Sequence, residues 1–423
     1  MRPSYMKIAI AGAGIGGLSA ALSLHAAGFS DVTLFEAARE IQQVGVGINL
    51  PPHAVRELVE LGLGEGLAAI GLPTAELCYY DRSGELIWAE ARGTAAGYRW
   101  PQYSVHRGRL QHLLLAAVRE RLGPATVSSG QRVEACSADE DGVSLTVTEL
   151  ASGTRTVHRA DLLVGADGIR SAVRSALYGN AVSLATNGWV MYRGATPAAS
   201  MRFLSGRSMV IVGDERQRVV AYPIDESTIN WLMVRPLPTA GDAGTPLGNW
   251  NHEVAAQDIA RYVQEWRFDW LDIHALVQST KTVYEYPMAD IDPLGQWSFG
   301  RITLLGDAAH AMYPFGSNGA SQAIIDARVL AYQLAHHMSD PARALAAYDA
   351  ARRESVAKVQ LANRSQAGDV MARVSALARA RAHGQARDEL RSVEDTYKRL
   401  AGFDIETLNH RPSWSVQPAA AST

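Results

Sequence analysis

The hydrophobic pattern of the chain contains three short apolar runs that each end at a glycine-bearing turn. They are residues 7–11 (KIAIA), 161–165 (DLLVG) and 302–305 (ITLL). Runs of this length, bounded by turn residues, are typical of strands that are buried on both faces. Segments with helical apolar spacing follow at residues 18–27 and 320–337. This alternation predicts an α/β fold built around a Rossmann-like parallel sheet.

Between residues 187 and 234 the pattern changes to alternating runs separated by turns, namely GWVMYRGAT, SMVIVG, RVVAYPI and TINWLMV. Residues 76–80 and 85–88 flank an Asp-Arg-Ser-Gly turn, which is a hairpin signature. These segments predict a second, mostly antiparallel β-sheet domain. Its aromatic and methionine side chains suit a sheet core, and they equally suit an apolar pocket for a planar organic substrate.

The turn after the first apolar run carries a dinucleotide-binding fingerprint. Residues 12–17 read GAGIGG, between a strand and a helix, and a second strand at residues 31–35 is closed by Glu36. In this context the glycines permit a tight turn and the approach of a pyrophosphate, while the acid accepts hydrogen bonds from ribose hydroxyls. A purely structural βα turn is the alternative. We predict that this segment binds a dinucleotide.

Two other buried runs end in a carboxylate beside glycine, at Asp167 and Asp307. Either aspartate could cap a helix, but both together with the glycine motif indicate one long cofactor held at three points. Beyond Asp307, a loop containing Pro314 and Gly319 leads into the helix at residues 320–337. The free N–H groups of such a helix attract negative charge, so this loop is also a candidate cofactor contact.

Two further positions are candidates for contacts with the cofactor. Arg107 stands at the start of the helix predicted within residues 104–123, where a cation is unfavourable unless it meets an anion such as a phosphate. Gly45 and Gly47 lie in a loop that precedes two prolines. This glycine pair would let backbone approach a flat ligand, or it would form a mobile turn, and its spacing favours neither.

The predicted domain organisation is discontinuous. The ranges are 1–75, 101–180 and 290–365 for the cofactor domain, 76–100 and 181–289 for the β-sheet substrate domain, 366–410 for a C-terminal helical region, and 411–423 for a disordered tail.

Composition narrows the functional class. With 47% hydrophobic and 20% charged residues, a net charge of −3 and a pI near 6.5, the chain has the balance of an ordinary soluble globular protein and no electrostatic reason to bind nucleic acid. Its two cysteines, Cys78 and Cys136, argue against a disulfide framework or a cysteine-based metal site, and no metal is expected. Residues 8–24 are too rich in glycine for a membrane span. A cytoplasmic protein is therefore expected, as a monomer or a homodimer.

The motifs GAGIGG with Glu36, VGADGIRSAVR and LLGDAAHAMYPFGSNGAS occur together and in this order. In this combination the chain resembles the group A flavoprotein monooxygenases, the aromatic hydroxylases similar to p-hydroxybenzoate hydroxylase. The segments VGVGINLPPHAV, PQYSVHRGRLQ and YPFGSNGASQAI look like the 5-methylphenazine-1-carboxylate 1-monooxygenase branch, whose members modify phenazines. The resemblance extends to about Asn363.

The resemblance implies a glutathione-reductase-type FAD-binding domain, NAD(P)H as co-substrate with NADH favoured, and O2. It implies that the flavin C4a carries the oxygen as a hydroperoxide, so no catalytic side chain is assigned. The FAD contacts that it implies are Gly12, Gly14, Ile15, Gly16, Glu36, Ala37, Gly47, Arg107, Val133, Asp167, Gly306, Asp307, Pro314, Gly316, Asn318 and Gly319.

The substrate is expected to be a small aromatic molecule, either phenazine-like or fused-ring, or alternatively a salicylate or other hydroxybenzoate; decarboxylation could accompany hydroxylation. The candidate substrate contacts are Tyr192, Arg193, Met209, Tyr222 and Phe315. Arg193 could hold a substrate carboxylate or form a structural ion pair. No acid–base pair that would deprotonate a phenol is evident in the sequence. A flavin-sequestering protein without turnover is the alternative from a different functional class.

Overall fold

The computed structural model of the chain describes residues 6–42, 46–197, 203–204, 206–237, 252–367 and 369–416. The strands, in chain order, are β1 (Ile8–Ala11), β2 (Val32–Glu36), β3 (Gly47–Leu50), β4 (Gly71–Thr74), β5 (Glu76–Tyr80), β6 (Leu86–Ala91), β7 (Gln102–His106), β8 (Val127–Ser129), β9 (Gln131–Ala138), β10 (Val143–Glu149), β11 (Arg155–Ala160), β12 (Leu162–Gly165), β13 (Ala185–Pro197), β14 (Ser208–Gly213), β15 (Arg218–Asp225), β16 (Thr228–Pro236), β17 (His252–Val254), β18 (Arg267–Phe268), β19 (Leu271–Asp272), β20 (Val283–Asp290), β21 (Ser298–Phe299) and β22 (Ile302–Leu304).

The helices, also in chain order, are α1 (Ile15–Ala26), α2 (Pro52–Glu60), α3 (Gly64–Ile70), α4 (Arg107–Leu122), α5 (Ala172–Tyr178), α6 (Ala256–Ala260), α7 (Ile273–Gln278), α8 (Asp307–His310), α9 (Gly319–His336), α10 (Pro341–Ala367), α11 (Asp369–Arg379), α12 (His383–Leu400) and α13 (Ile405–His410). Among the described residues, no helix combines the length and the apolar character that crossing a bilayer requires.

A six-stranded sheet organises the first part of the fold, with the strand order β21-β22-β12-β1-β2-β8. All neighbouring pairs are parallel except β21 with β22. The apolar residues of β1 and β12 are fully buried, as expected for strands covered on both faces. The predicted α/β fold with a Rossmann-like parallel sheet is confirmed.

An eight-stranded sheet forms the second part, with the order β17-β20-β13-β16-β15-β14-β5-β6. Its pairs are antiparallel apart from β14 with β5. Because side chains alternate along a strand, this sheet has two distinct apolar faces. One face packs against α6 and α7 through residues such as Val210 and Trp231, and the other packs partly against α11 and α12 through residues such as Leu77 and Tyr79.

The division of the chain into domains stays a prediction, and the strand positions support it. The strands of the eight-stranded sheet all begin inside residues 76–100 or 181–289. The proposed boundary at residue 366 falls near the end of α10, which runs to Ala367. Helices α11 and α12 then return to cover part of the eight-stranded sheet. Residues of both helices also line the cavity that is described in the next subsection.

The disordered tail predicted from residue 411 is wrong for residues 411–416, while residues 417–423 lie outside the described part. Arg56 donates from Nη2 to the carbonyl oxygen of Arg411 at 2.8 Å, and Ser413 Oγ donates to Glu60 at 2.6 Å. The Trp414 ring meets Tyr332 edge-on at 5.2 Å. This segment is held by partners on α2 and α9 that are distant in sequence, so local composition could not reveal its order.

Candidate active site

The carboxyl ends of four parallel strands meet along one edge of the six-stranded sheet. In the order β22, β12, β1 and β2, these ends lead to Asp307, Asp167, the glycine turn at residues 12–17, and Glu36. Ligands of open α/β sheets bind outside this edge. The tertiary structure therefore brings together the three motifs that the sequence left far apart.

The glycine turn is shaped for a ligand with phosphates. A Cβ at Gly17 would lie 2.0 Å from the Gly12 carbonyl oxygen, so only glycine lets α1 pack on the turn. A Cβ at Gly14 would meet no described atom within 4 Å, although Gly14 lines the main cavity. The backbone at Gly14 is thus open to a ligand beside the start of α1, where unpaired N–H groups favour phosphate.

A cavity of about 430 Å³ extends from this turn to the eight-stranded sheet. The predicted FAD contacts that line it are Gly14, Ile15, Gly16, Gly47, Arg107, Gly306, Asp307, Pro314, Gly316, Asn318 and Gly319, and the predicted substrate contacts that line it are Arg193, Met209, Tyr222 and Phe315. Gly45 lies outside the described residues. The cavity has the size and mixed lining expected of a site for a cofactor and an organic substrate.

Five predicted FAD contacts do not line this cavity, namely Gly12, Glu36, Ala37, Val133 and Asp167. Val133, on β9, is buried in the hydrophobic core. The Glu36 carboxylate accepts hydrogen bonds from the backbone N–H of Ala13 at 2.7 Å and of Ala38 at 2.8 Å. Glu36 therefore also fastens the glycine turn to the end of β2, and its contact with a ribose stays a prediction.

The placement of Tyr192 as a substrate contact is wrong. Tyr192 is buried among the residues packed against α6 and α7, and its ring stacks near Tyr262 with the centroids 6.3 Å apart. Its neighbour Arg193 points to the opposite face and lines the cavity. Adjacent residues of a strand face opposite sides, so the two could not both contact one substrate.

The side chain of Asp167 acts as a local cap. It accepts hydrogen bonds from Ser171 Oγ at 2.5 Å and from the Ala172 N–H at 2.7 Å, and burial raises its pKa. Of the two roles considered for this residue, the structure thus shows the cap of α5. Its neighbours Ala166 and Gly168 line the cavity, so the segment meets the cavity through other atoms, and a direct FAD contact of Asp167 stays a prediction.

Asp326 on α9 supports the turn that presents Asp307, and the sequence did not single it out. Its carboxylate accepts from the Gly306 N–H at 3.2 Å and from Arg352 Nε at 2.7 Å, and His310 Nε2 lies 2.5 Å away. Burial opposes its ionisation, but His310 and Arg352 outweigh burial and lower its pKa. An acid inside an apolar helical run was the available signal.

The loop at residues 314–319 is held by the C-terminal helices. Gly316 has φ +66° and packs so closely on Tyr397 that a Cβ would lie 2.3 Å from its ring. The Tyr397 hydroxyl accepts from Asn318 Nδ2 at 2.9 Å, and it donates to the Phe315 carbonyl at 3.3 Å. His53 Nε2 lies 3.0 Å from Asn318 Oδ1. Tyr397 therefore positions the loop from a part of the chain that no motif marked.

Replacing Tyr397 with phenylalanine is expected to weaken FAD binding about three- to tenfold. The substitution removes the hydroxyl that joins Asn318 to the Phe315 carbonyl, and one such hydrogen bond contributes about 1 kcal/mol. Titration of the apoprotein, followed by the quenching of flavin fluorescence, measures the effect. Tyr98→Phe is the matched control, since the Tyr98 hydroxyl donates to the Phe403 carbonyl in the same cluster but does not line the cavity. Equal affinities of the two variants would contradict the assignment.

A second group of polar side chains lines the cavity beside α12. Tyr79 donates to Glu394 at 2.9 Å, and Arg92 joins Glu394 at 3.0 Å and Glu90 at 3.0 Å. Burial raises the pKa of Tyr79 well above its usual value, and Glu394 raises it further. This cluster was not predicted, because Glu394 lies in a helix whose sequence shows only ordinary amphipathic spacing.

Two arginines lie on the cavity face of the eight-stranded sheet. Arg193 donates from Nη2 to the Gly47 carbonyl at 2.8 Å, while its buried Nε finds no hydrogen-bond partner among the described residues. The guanidinium of Arg218 lies 5.3 Å from the centre of the Phe315 ring and 5.6 Å from that of Trp189. Burial lowers the pKa of both, that of Arg218 to about 10. An anionic group inside the cavity would offset this penalty.

The residues at the sheet edge suit FAD. Gly14, Arg107 and Asp307 line one cavity, where an open backbone and a cation would suit phosphates and a carboxylate would accept from hydroxyls; these individual contacts stay predictions. Gly319 is the first residue of α9 and lines the cavity. Among the described atoms, a Cβ added at Gly319 would approach only Asp307 Oδ1, at 4.0 Å, so the space beside this glycine is open.

Comparison with known proteins identifies the family of the chain. The model of the FAD binding domain family matches residues 5–362. The chain is 46% identical over 368 residues to phenazine 1,6-dicarboxylic acid hydroxylase PhzS of Lysobacter antibioticus, covering 85% of this chain and 89% of that protein. It is 30% identical over 369 residues to 3-hydroxybenzoate 6-hydroxylase of Polaromonas naphthalenivorans, covering 86% and 87%.

Among solved structures, the Klebsiella pneumoniae HpxO complexed with FAD and uric acid matches with a TM-score of 0.76 at 26% identity, over 94% of this chain and 97% of that one. The family match spans most of the chain, and the glycine turn, Asp307 and the loop before α9 face one cavity. The chain therefore belongs to the FAD binding domain family and is an FAD-dependent aromatic monooxygenase.

Proposed function

We propose that this enzyme hydroxylates a fused-ring aromatic carboxylic acid of the phenazine class, with NAD(P)H as the reductant. The proposal rests chiefly on Arg193, whose guanidinium lines a cavity with largely apolar walls and is paired with no carboxylate among the described residues. The relative with 46% identity acts on phenazine 1,6-dicarboxylic acid. When bound, FAD would accept a hydride from NAD(P)H and activate O2. The chain itself binds and orients the substrate.

The walls of the cavity support an aromatic substrate. Met209, Leu232, Val234 and Phe315 line it from the eight-stranded sheet and from the loop before α9. Such side chains contact a planar ring through apolar surface, and they keep water away from the reacting carbon.

Arg193 supports a carboxylate on that ring. Besides burial, the neighbours that shift the pKa of Arg193 are Tyr222, Tyr286 and Arg107, and none of them is a carboxylate. The alternative of a structural ion pair with an acid is therefore not observed among the described residues. A substrate carboxylate that accepts from the Arg193 guanidinium would form a charge-assisted hydrogen bond and would supply the missing negative charge.

Replacing Arg193 with alanine is expected to raise the dissociation constant of phenazine-1-carboxylate about 10- to 100-fold, since a hydrogen bond between charged groups contributes about 1.5–3 kcal/mol. Unsubstituted phenazine is the matched control ligand and should bind both proteins equally. Difference absorbance of the bound flavin measures both constants. Equal loss for the two ligands would contradict the carboxylate role of Arg193.

A single-ring hydroxybenzoate is the second candidate substrate, favoured by the 30% identity to 3-hydroxybenzoate 6-hydroxylase. The two candidates are separated by a panel in which phenazine carboxylates, salicylate and 3-hydroxybenzoate are each scored for stimulated NAD(P)H oxidation and for product mass. A phenazine acid should give a product heavier by one oxygen, or the corresponding decarboxylated phenol. Turnover of hydroxybenzoates alone would overturn the phenazine proposal.

A further inference from the structure

A second cavity, of about 400 Å³, lies at the edge of the eight-stranded sheet under α11. It shares three lining residues, Tyr79, Ile211 and Met371, with the active-site cavity. We propose that this outer cavity is the passage through which the aromatic substrate enters and the product leaves. The inference rests on the proposed function, because it takes a planar aromatic acid as the molecule in transit.

The three shared residues form a partition between the two cavities. Tyr79 and Ile211 are register partners on the adjacent strands β5 and β14, so their side chains stand next to each other on the same face of the sheet. Met371 on α11 closes the partition from the opposite side. Methionine is unbranched and adaptable, so a change of its rotamer can open a gap without moving the strands.

The outer cavity has the lining that a flat aromatic acid requires. Its buried lining is apolar, with Ile87, Val374 and Ala378. Its mouth is polar, with Asp81, Ser83 and Asp214 near the solvent. A ring can therefore slide along apolar surface while its carboxylate stays hydrated until it reaches the active-site cavity, where Arg193 and Arg218 lie.

The contacts that close the mouth are weak. Arg379 at the end of α11 pairs with Glu215 at 2.8 Å, and their side chains are 59% and 27% exposed. Arg82, on the turn between β5 and β6, pairs with Asp214 at 3.0 Å, and their side chains are 55% and 14% exposed. The Arg379–Glu215 pair joins α11 to the turn between β14 and β15, and ion pairs with this exposure stabilise little, so this side of the mouth can part at small cost.

The test is to block the outer cavity without touching the inner one. Ser375 is buried and lines only the outer cavity, whereas Ala376 on the next position of α11 is exposed. In the FAD-loaded enzyme, Ser375→Trp is expected to slow both association and dissociation of phenazine-1-carboxylate at least tenfold and to leave its dissociation constant within about twofold. Ala376→Trp is the matched control and should change neither rate. Stopped-flow absorbance of the bound flavin measures the rates.

A second variant acts in the opposite direction. Arg379→Ala removes the pair with Glu215 at the mouth and is expected to accelerate both rates, by up to about fivefold, with the dissociation constant unchanged. This variant keeps the inference testable if Ser375→Trp does not fold.

The outcomes separate the two proposals. If the wild-type enzyme binds phenazine-1-carboxylate and Ser375→Trp exchanges it at the wild-type rate, the passage is refuted and the proposed function stands. The passage is also refuted if Ser375→Trp weakens equilibrium binding while association stays fast, or if it slows only flavin reduction by NADH with substrate already bound. A wild-type enzyme that binds no phenazine or hydroxybenzoate acid overturns both.

Discussion

Gly14→Leu is expected to raise the dissociation constant of FAD about 100-fold or more and to leave the chain folded. A leucine side chain at this position would project into open space beside the start of α1, where a pyrophosphate must approach the backbone. Loss of two hydrogen bonds to a charged group, at about 1.5–3 kcal/mol each, accounts for this magnitude. The flavin-to-protein absorbance ratio after gel filtration, and titration of the apoprotein with FAD, measure the effect.

Gly295→Leu is the matched control for this prediction. Gly295 is exposed, and its hypothetical Cβ also meets no described atom within 4 Å, but it does not line the cavity. The control should therefore retain FAD with the wild-type affinity and melt at the wild-type temperature. If Gly14→Leu also kept a full complement of FAD, the glycine turn would not be the phosphate site.

Asp326→Ala is expected to lower the free energy of unfolding by about 3–5 kcal/mol at pH 7. The carboxylate is fully buried between His310 and Arg352 and also accepts from the Gly306 N–H. Its removal leaves the buried end of Arg352 without its counter-charge, which is the most destabilising way to break a buried pair. Denaturant titration followed by circular dichroism measures the loss in the apoprotein and in the FAD-loaded enzyme.

The control and the pH dependence sharpen this prediction. Asp388→Ala removes an acid whose side chain is 71% exposed and should change stability by less than about 0.5 kcal/mol. Because the folded-state pKa of Asp326 is depressed, its contribution is complete above its unfolded pKa of roughly 3.9 and is lost as the pH falls through the folded value. A wild-type protein that lost no more stability than Asp326→Ala on acidification below pH 4 would contradict the role of this carboxylate.

Local sequence patterns were sufficient to predict an element where one short stretch contains all the residues that specify it. The structure has β1 at the apolar run of residues 7–11, a tight turn at the glycine motif and α1 at the helical segment after it. Each of these elements is specified by residues that are neighbours in the sequence. Arg107 likewise proved to be the first residue of α4. Helix α5 begins at Ala172, where Asp167 and Ser171 cap it.

The sequence alone could not show which face of the eight-stranded sheet lines the cavity. Alternation along β13 separates Tyr192 from Arg193, but nothing local shows which of the two faces the cavity. That choice follows from the packing of α6 and α7 on one face and of α11 with α12 on part of the other. The aromatic residues of these strands were therefore predicted together, although the sheet divides them between a core and a ligand site.

By itself, the sequence determined the cofactor half of this protein: the glycine turn, the carboxylate of Asp307 after a buried strand, and the loop before α9. Only the tertiary structure revealed that Tyr397 and Glu394 from the C-terminal helices complete the cavity, that Asp326 supports the Asp307 turn, and that an outer cavity adjoins the site. The physical reason is distance along the chain. Tyr79 and Glu394 are 315 positions apart, and a hydrogen bond between such residues exists only once the elements carrying them have packed.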